Sequence, residues 1–302
     1  MKRHLKWLAF VLLLNLWGCT IHTENVSGEE TQTTPVESYY IENKGSDTIV
    51  NLALVWAERY QELHPNVRIS VTGGGSGTGL AALTNSTVDI ANASRPIKEE
   101  ETALLEEQGT SAVEFIVARD AVAVIVNPNN PIDRLTLEQV SLIYQGKINN
   151  WQELGGEDRP IVRTSRETNS GTHVYFLEEV IRLGNSADDT IFSADTLLLP
   201  SSEGIIAEVR DNPNAIGYDG LGYVTDDVKV IALAEEPGGE YVLPSANTVN
   251  DGSYPVARDL YMYTRGEPQG AISAYIEWVL SSEAQRLVSE LGFVPMGRWN
   301  NE

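Results

Sequence analysis

With 302 residues, 42% of them hydrophobic, the chain can form one large domain or two medium ones with proper cores. A formal charge of -22 argues against a nucleic-acid-binding surface, because it repels a phosphate backbone. A single cysteine excludes an intrachain disulfide and a thiolate metal cluster.

In chain order, Met1-Lys2-Arg3-His4 is a basic start, Leu8 to Leu16 is an apolar core interrupted by Asn15, and Leu16-Trp17-Gly18-Cys19 closes the segment. This pattern resembles a bacterial lipoprotein signal. The resemblance implies removal of residues 1–18, lipidation at Cys19 and attachment to a membrane through that lipid. The apolar run is shorter than the about 20 residues that cross a bilayer, so an uncleaved anchor fits less well. Residues 19–40 are rich in Thr, Glu and Ser, bury little, and read as a tether.

Gly45-Ser46-Asp47-Thr48 then opens an amphipathic run in which Ile49, Leu52, Ala53, Trp56, Tyr60 and Leu63 recur at helical spacing. His64-Pro65-Asn66 stops it, and Val67, Ile69 and Val71 alternate as a strand. Gly73-Gly74-Gly75-Ser76-Gly77-Thr78-Gly79 follows, leading into a helix with Leu80 and Leu83. A short strand over 88–93 ends at Ser94-Arg95-Pro96, at the carboxyl end where open α/β sheets place ligand contacts. A charged helix over 98–108 precedes two apolar strands, 113–117 and 121–126, separated by Arg119-Asp120. Asn127-Pro128-Asn129-Asn130-Pro131 is a firm break and marks a crossing into a second domain.

Thr136 caps a short helix through Tyr144, and the strand containing Ile161 and Val162 reaches Arg166-Glu167-Thr168-Asn169-Ser170-Gly171-Thr172, followed by a helix over 172–183. A helix carrying Ile205, Ile206 and Val209, and strands over 214–218 and 228–233, complete this part. Tyr254-Pro-Val-Ala-Arg258 and the strand 260–263 return to the first domain, and one long helix over 268–291 closes it. Strands alternating with helices predict mostly parallel sheets covered on both faces.

Three helix starts thus carry small hydroxyl residues and glycine. Each leaves about four backbone N–H groups unpaired, with dipoles that favour an anion. Together they can converge on one oxyanion, and a site of amides, hydroxyls and arginine can be locally positive inside an acidic envelope.

The chain resembles the periplasmic-type phosphate-binding proteins, the solute receptors of phosphate ABC transporters, over nearly everything from Ile41 to Arg298. The marks are Gly45-Ser-Asp-Thr48, Gly75-Ser-Gly-Thr-Gly79, Ala91-Asn-Ala-Ser-Arg-Pro96, Arg166 with Ser170-Gly-Thr172, Asn214-Ala-Ile-Gly-Tyr218, Tyr254-Pro-Val-Ala-Arg258 and Gly292-Phe-Val-Pro295. The resemblance implies a type II periplasmic-binding-protein-like α/β fold: lobe 1 over 41–126 plus 255–302, lobe 2 over 127–254, a hinge, and a cleft between the lobes for inorganic phosphate. It implies a monomer in the cell envelope that delivers phosphate to the transmembrane subunits of an ABC permease. Phosphate contacts carried over onto this chain are Ser46, Asp47, Thr48, Ser76, Gly77, Ser94, Arg95, Arg166, Ser170, Gly171 and Thr172, with no metal and no cofactor.

One departure stands out. In the best-known branch of that family an aspartate after the Ala-Ser of the third strand accepts the proton of monohydrogen phosphate. Here Ser94-Arg95 occupies that place. Asp47 is the nearest replacement, with plain capping of its own helix as the alternative. A receptor for sulfate, molybdate or tungstate is therefore the rival reading. Catalysis fits poorly: neither Ser76 nor Ser170 lies in a Gly-x-Ser-x-Gly elbow, and of His4, His22, His64 and His173 only the last is near the cradle, where it decorates a helix face. The glycine loop lacks the Lys-Ser or Lys-Thr of a nucleotide P-loop.

Overall fold

A computed structural model of the chain describes residues 38–297. The signal segment with Cys19, most of the expected tether and Arg298 lie outside the described residues. The first strand begins inside the expected tether, at Tyr39, whose N–H donates to Asn66 O at 2.9 Å. Pairing with β2 is what orders it.

The first run is β1 (Tyr39–Gly45), α1 (Asp47–Leu63), β2 (Val67–Thr72), α2 (Ser76–Thr84), β3 (Ile90–Ala93), α3 (Glu99–Glu107) and β4 (Ala112–Val126). The second is β5 (Arg134–Thr136), α4 (Leu137–Tyr144), β6 (Val162–Arg166), α5 (Gly171–Phe176), β7 (Leu197–Leu199), α6 (Ser202–Asp211), β8 (Ala215–Gly220), β9 (Lys229–Val230), β10 (Ala232–Ala234) and α7 (Ala246–Asn250). The chain returns through β11 (Ala257–Arg265) and ends in α8 (Gly270–Val279) and α9 (Ser282–Glu290). Among the described residues no helix is long and apolar enough to cross a membrane.

Eight strands run in the order β2-β1-β3-β11-β4-β8-β6-β7, and β9 adds to β4. Pairing is parallel within β2-β1-β3 and β8-β6-β7, and antiparallel from β3 through β11 and β4 to β8. The sheet is thus mixed where mostly parallel sheets are expected from the alternation of elements. The difference arises because β4 and β11 each run through the middle of the molecule in opposite directions.

Arg119-Asp120 does not split β4, which continues for 15 residues because Asp120 is paired with Arg258 on β11. β4 exchanges β11 for β8 as its ladder partner near Val122. The closing helix is also divided: Ser281 caps a fresh start at α9, its Oγ accepting from Ala284 N at 3.5 Å. The helix after Thr172 changes into a single π turn over Leu177–Ile181. The expected strand over 228–233 is two short pieces, β9 and β10, which join different sheets.

One apolar cluster covers one face continuously. It runs from Ile49, Leu52 and Trp56 of α1 and Val279 and Val288 of the last helices across Leu260 and Met262 to Ile205 and Val209 of α6. The opposite face holds two separate clusters, one around Leu80, Leu83, Tyr261 and Tyr263, the other around Val122, Val124, Phe176, Tyr218 and Val256. Alternation along β11 lets Leu260 and Met262 serve the first face while Tyr261 and Tyr263 serve the other, and a register shift opposite Leu260 and Tyr261 leaves Val117 as an extra residue on β4. Arg258 stands on β11 between Val256 and Tyr261, in the gap between the two separate clusters.

The seat of α2 on β1 depends on Gly79. A Cβ added there would lie 2.5 Å from Lys44 O and 2.6 Å from Gly45 Cα, both backbone atoms. Gly79→Ala is therefore expected to destabilise the protein by about 1–3 kcal/mol, although alanine favours a helix. Urea denaturation followed by circular dichroism measures it; equal or higher stability would show that α2 is not held this closely.

Candidate functional site

The starts of α1, α2 and α5 meet in the gap on the divided face. Thr48 Oγ1 lies 2.8 Å from Thr172 Oγ1, so the first turns of α1 and α5 touch through their hydroxyls. Ser46 Oγ donates to Ser94 Oγ at 2.9 Å, Ser76 Oγ lies 3.3 Å from Ser94 Oγ, and Ser94 N donates to Ser76 Oγ at 3.0 Å. Ser46, Thr48, Ser76, Ser94, Ser170 and Thr172 are all buried. Ser170 caps α5 through Thr172 N, and Gly77 N donates to Asn169 O at 3.1 Å.

Glycine is needed at the head of α5 for a specific reason. A Cβ on Gly171 would come within 2.3 Å of Ser76 Oγ and 2.5 Å of Ser94 Oγ. Any side chain there would push apart the helix starts that this arrangement brings together.

Arg166 ends β6 with its side chain 1% exposed. It donates to Asp47 Oδ2 at 2.7 Å, Ser202 Oγ at 2.8 Å and Pro200 O at 2.8 Å, while its Nε is buried without a partner. Asp47 caps nothing in its own helix. Its Oδ1 accepts from Gly74 N at 2.8 Å and its Oδ2 from Arg166, so it ties the glycine loop to the arginine, and both oxygens already act as acceptors.

Two expectations need correction. Arg95 does lie beside Gly77, but its donors are engaged: it forks onto Glu101 at 2.8 and 2.7 Å and donates to Pro96 O. Its charge is matched by that carboxylate, which closes the first turn of α3. His173 does not decorate an exposed face. It is buried, stacks on Phe192 at 4.4 Å, and donates from Nδ1 to Arg166 O at 2.9 Å. Burial lowers its pKa below the ordinary 6.5.

Three further residues were not singled out as contacts from the sequence. Arg258 donates through Nη2 to Asp120 Oδ2 at 2.9 Å and to Thr172 Oγ1 at 3.0 Å, approaches Thr48 Oγ1 at 3.5 Å, and donates through Nη1 to Ser94 O at 3.1 Å. Asp120 Oδ1 accepts from Leu221 N at 3.0 Å. Asp219 Oδ1 accepts from Ser202 Oγ and Gly220 N, while its buried Oδ2 has no hydrogen-bond partner and lies 4.0 Å from Arg166 Nη1. The readable signal was a charge within or at the start of each of two buried strands, Asp120 and Arg258, since such charges must find each other.

Burial raises the Asp219 carboxyl from the ordinary 3.8 to about 6, against the pull of Arg166. Among the described residues no cluster of His, Cys, Asp or Glu is disposed to hold a metal ion. The arrangement offers hydroxyls, helix-start amides and guanidinium groups to one small volume, which suits an oxyanion.

A family model described as PBP superfamily domain matches residues 27–283. The chain is 34% identical to the phosphate-binding protein PstS of Pseudomonas aeruginosa over 269 residues, covering 83% of this chain and 81% of that protein. It is 32% identical to PstS of Bacillus subtilis, covering 83% and 79%. Among solved structures, a phosphate ABC transporter substrate-binding protein from Clostridium perfringens with bound phosphate superposes with a TM-score of 0.75 at 31% identity, over 85% of this chain and 100% of that one. An ABC-type phosphate transport receptor from Vibrio cholerae gives a TM-score of 0.67 at 28% identity, over 84% and 99%.

The raised Asp219 carboxyl makes a pH-dependent contribution of known sign. A group raised in the folded state favours folding below its unfolded value and loses that advantage as pH rises through the folded value. Asp219→Asn is expected to gain stability relative to the parent as pH rises from 3.8 to about 6, and to hold a constant difference above that. Thermal unfolding of both proteins across this window measures the difference; a gap that does not move with pH would rule the effect out.

Proposed function

Because this chain belongs to the PBP superfamily, and within it to the family of PstS phosphate-binding proteins, we propose that it binds inorganic phosphate and delivers it to an ABC-type permease for import. The family consists of solute-binding proteins with the type II binding-protein fold. The observation that carries the reading is the meeting of the starts of α1, α2 and α5 beside the buried Arg166. Ser46, Thr48, Ser76, Ser94, Ser170 and Thr172 offer hydroxyls, the turn at Gly171 offers amides, Gly77 N ties α2 to Asn169 O beside them, and Arg166 offers charge.

The energetics favour an ionic guest. Hydroxyls such as Thr48 and Thr172 now satisfy each other through neutral bonds. A phosphate entering between them replaces those with charge-assisted bonds, roughly twice as strong, at about 1.5–3 kcal/mol each. No bond of the ligand has to change, so binding requires no nucleophile, general acid or metal, and we assign no catalytic role.

In this reading residues 41–126 with 255–302 and residues 127–254 act as two lobes. They part on the divided face and bend at the strands that carry the continuous cluster. Cys19, once lipidated, would hold a monomer in the periplasm or at the outer face of the cytoplasmic membrane, close to the permease. Asp47 already accepts from Gly74 N and Arg166, so it is poised to hold donors in place more than to receive a ligand proton.

Arg166→Ala and Thr48→Val are each expected to weaken phosphate binding about tenfold or more while the protein stays folded. Titration calorimetry with phosphate, with sulfate and molybdate as competitors, measures this. Unchanged affinity in both variants would remove the residues from the site, and tighter binding of sulfate or molybdate would favour a receptor for those oxyanions.

A further inference from the structure

Arg258 is a charged side chain, 2% exposed, at the start of a buried strand. Its surroundings hold it rigidly. Nε and Nη2 lie 3.3 and 2.9 Å from the same oxygen, Asp120 Oδ2, Nη1 is fixed on Ser94 O, and the Tyr175 ring centre lies 5.4 Å from its Cζ. Asp120 is anchored in turn by Leu221 N.

Stability alone gives a poor reason for this pair. A buried ion pair is commonly matched or bettered by apolar residues of the same volume, while removing one partner is costly. What distinguishes Arg258 is its direction. One Nη2 hydrogen is taken by Asp120, and the other points at the two threonine hydroxyls, at 3.0 Å from Thr172 and 3.5 Å from Thr48. Those hydroxyls belong to the first turns of two different helices. Any oxygen that accepts from both lies beside the same N–H.

We propose that Arg258 is a second anion-binding guanidinium of the site, fixed by Asp120 and aimed at the ligand oxygen that Thr48 and Thr172 hold, so that the site favours dianionic over monoanionic phosphate. The inference rests on the phosphate reading above and adds a donor to it from the strands shared by both halves. Arg95 lies beside Gly77 with its fork on Glu101, whereas Arg258 and Arg166 are the guanidinium groups hydrogen-bonded to Thr172 and Asp47 at the starts of α5 and α1. Other titratable or charged groups facing Arg258 are Asp120 on β4, Tyr218 and Asp219 on β8, Tyr175 on α5 and Tyr261 on its own strand. Apart from Asp120 they are kept in the test variant, so a difference between its pH profile and that of the parent isolates Arg258 with its partner.

The test is calorimetric phosphate affinity at pH values on either side of the second ionisation of phosphate, for the parent, Arg258→Lys, and the paired variant Arg258→Met with Asp120→Leu. The paired variant leaves no orphaned charge, and thermal unfolding checks that it folds. It is expected to bind phosphate about tenfold or more weakly where the dianion dominates, with a clearly smaller loss where the monoanion does. Arg258→Lys, which keeps the charge and the Asp120 partner, is expected to fall between the two. Parental affinity in the paired variant at both pH values, with Arg166→Ala still defective, would overturn the role of Arg258 and leave the phosphate reading standing. Should the paired variant not fold, parental affinity in Arg258→Lys at both pH values would overturn it equally. A parent that ignores phosphate would instead overturn the reading on which the inference rests.

Discussion

A guanidinium cannot shed its proton at any ordinary pH, so an arginine in a protein interior must be surrounded by acceptors. Among the buried arginines, Arg166 and Arg258 fix the region where the helix starts meet. Asp47, Ser202 and Pro200 O receive the first; Asp120, Ser94 O and Thr172 receive the second. These acceptors come from elements far apart in sequence, and satisfying the arginines therefore draws the helix starts together. The hydroxyl contacts among Ser46, Thr48, Ser76, Ser94 and Thr172 follow from that gathering.

The sheet supplies the setting. On one face its apolar cover runs without interruption from α1 to α6, and on the other it is divided, with polar side chains filling the division. An unbroken core on one side resists shear along the whole sheet, whereas the divided side is joined across the gap mainly by hydrogen bonds and ion pairs. Such bonds exchange readily with a charged guest, while apolar packing does not.

Much of this was legible in the residues. Helix α1 follows from the spacing of Ile49, Leu52, Trp56 and Tyr60, and the hydroxyl-rich starts at Ser46, Ser76 and Ser170 are local signals that need no tertiary information. What was not legible depended on partners distant in the chain. Arg119-Asp120 read as a break between two strands because a charge in an apolar run is normally exposed, and only Arg258, 138 positions away, makes Asp120 tolerable inside. Arg95 read as a cradle residue because its place after Ser94 is the right one, yet Glu101, six residues on in the first turn of α3, takes its fork. The long closing helix read as unbroken because Ser281 and Ser282 fit an exposed helical face as well as a cap. Pairing direction was the remaining gap, since the antiparallel course of β4 and β11 is set by where the chain goes after 126 and not by any local pattern.

The offset in the β11–β4 ladder has a consequence for how the family can vary. Leu260 and Tyr261 stand opposite Ala118 and Ile116, so the extra residue is Val117 on β4, and Val117 and Ala118 both reach the continuous cluster. Beyond that bulge Asp120 stands directly opposite Arg258. One residue gained or lost between Ala118 and Asp120, or between Arg258 and Leu260, would turn one member of the pair to the far side of the sheet. Loops elsewhere can lengthen or shorten freely, but these two short spans are a fixed measure, and insertions or deletions should be missing from them in any relative that keeps both charges.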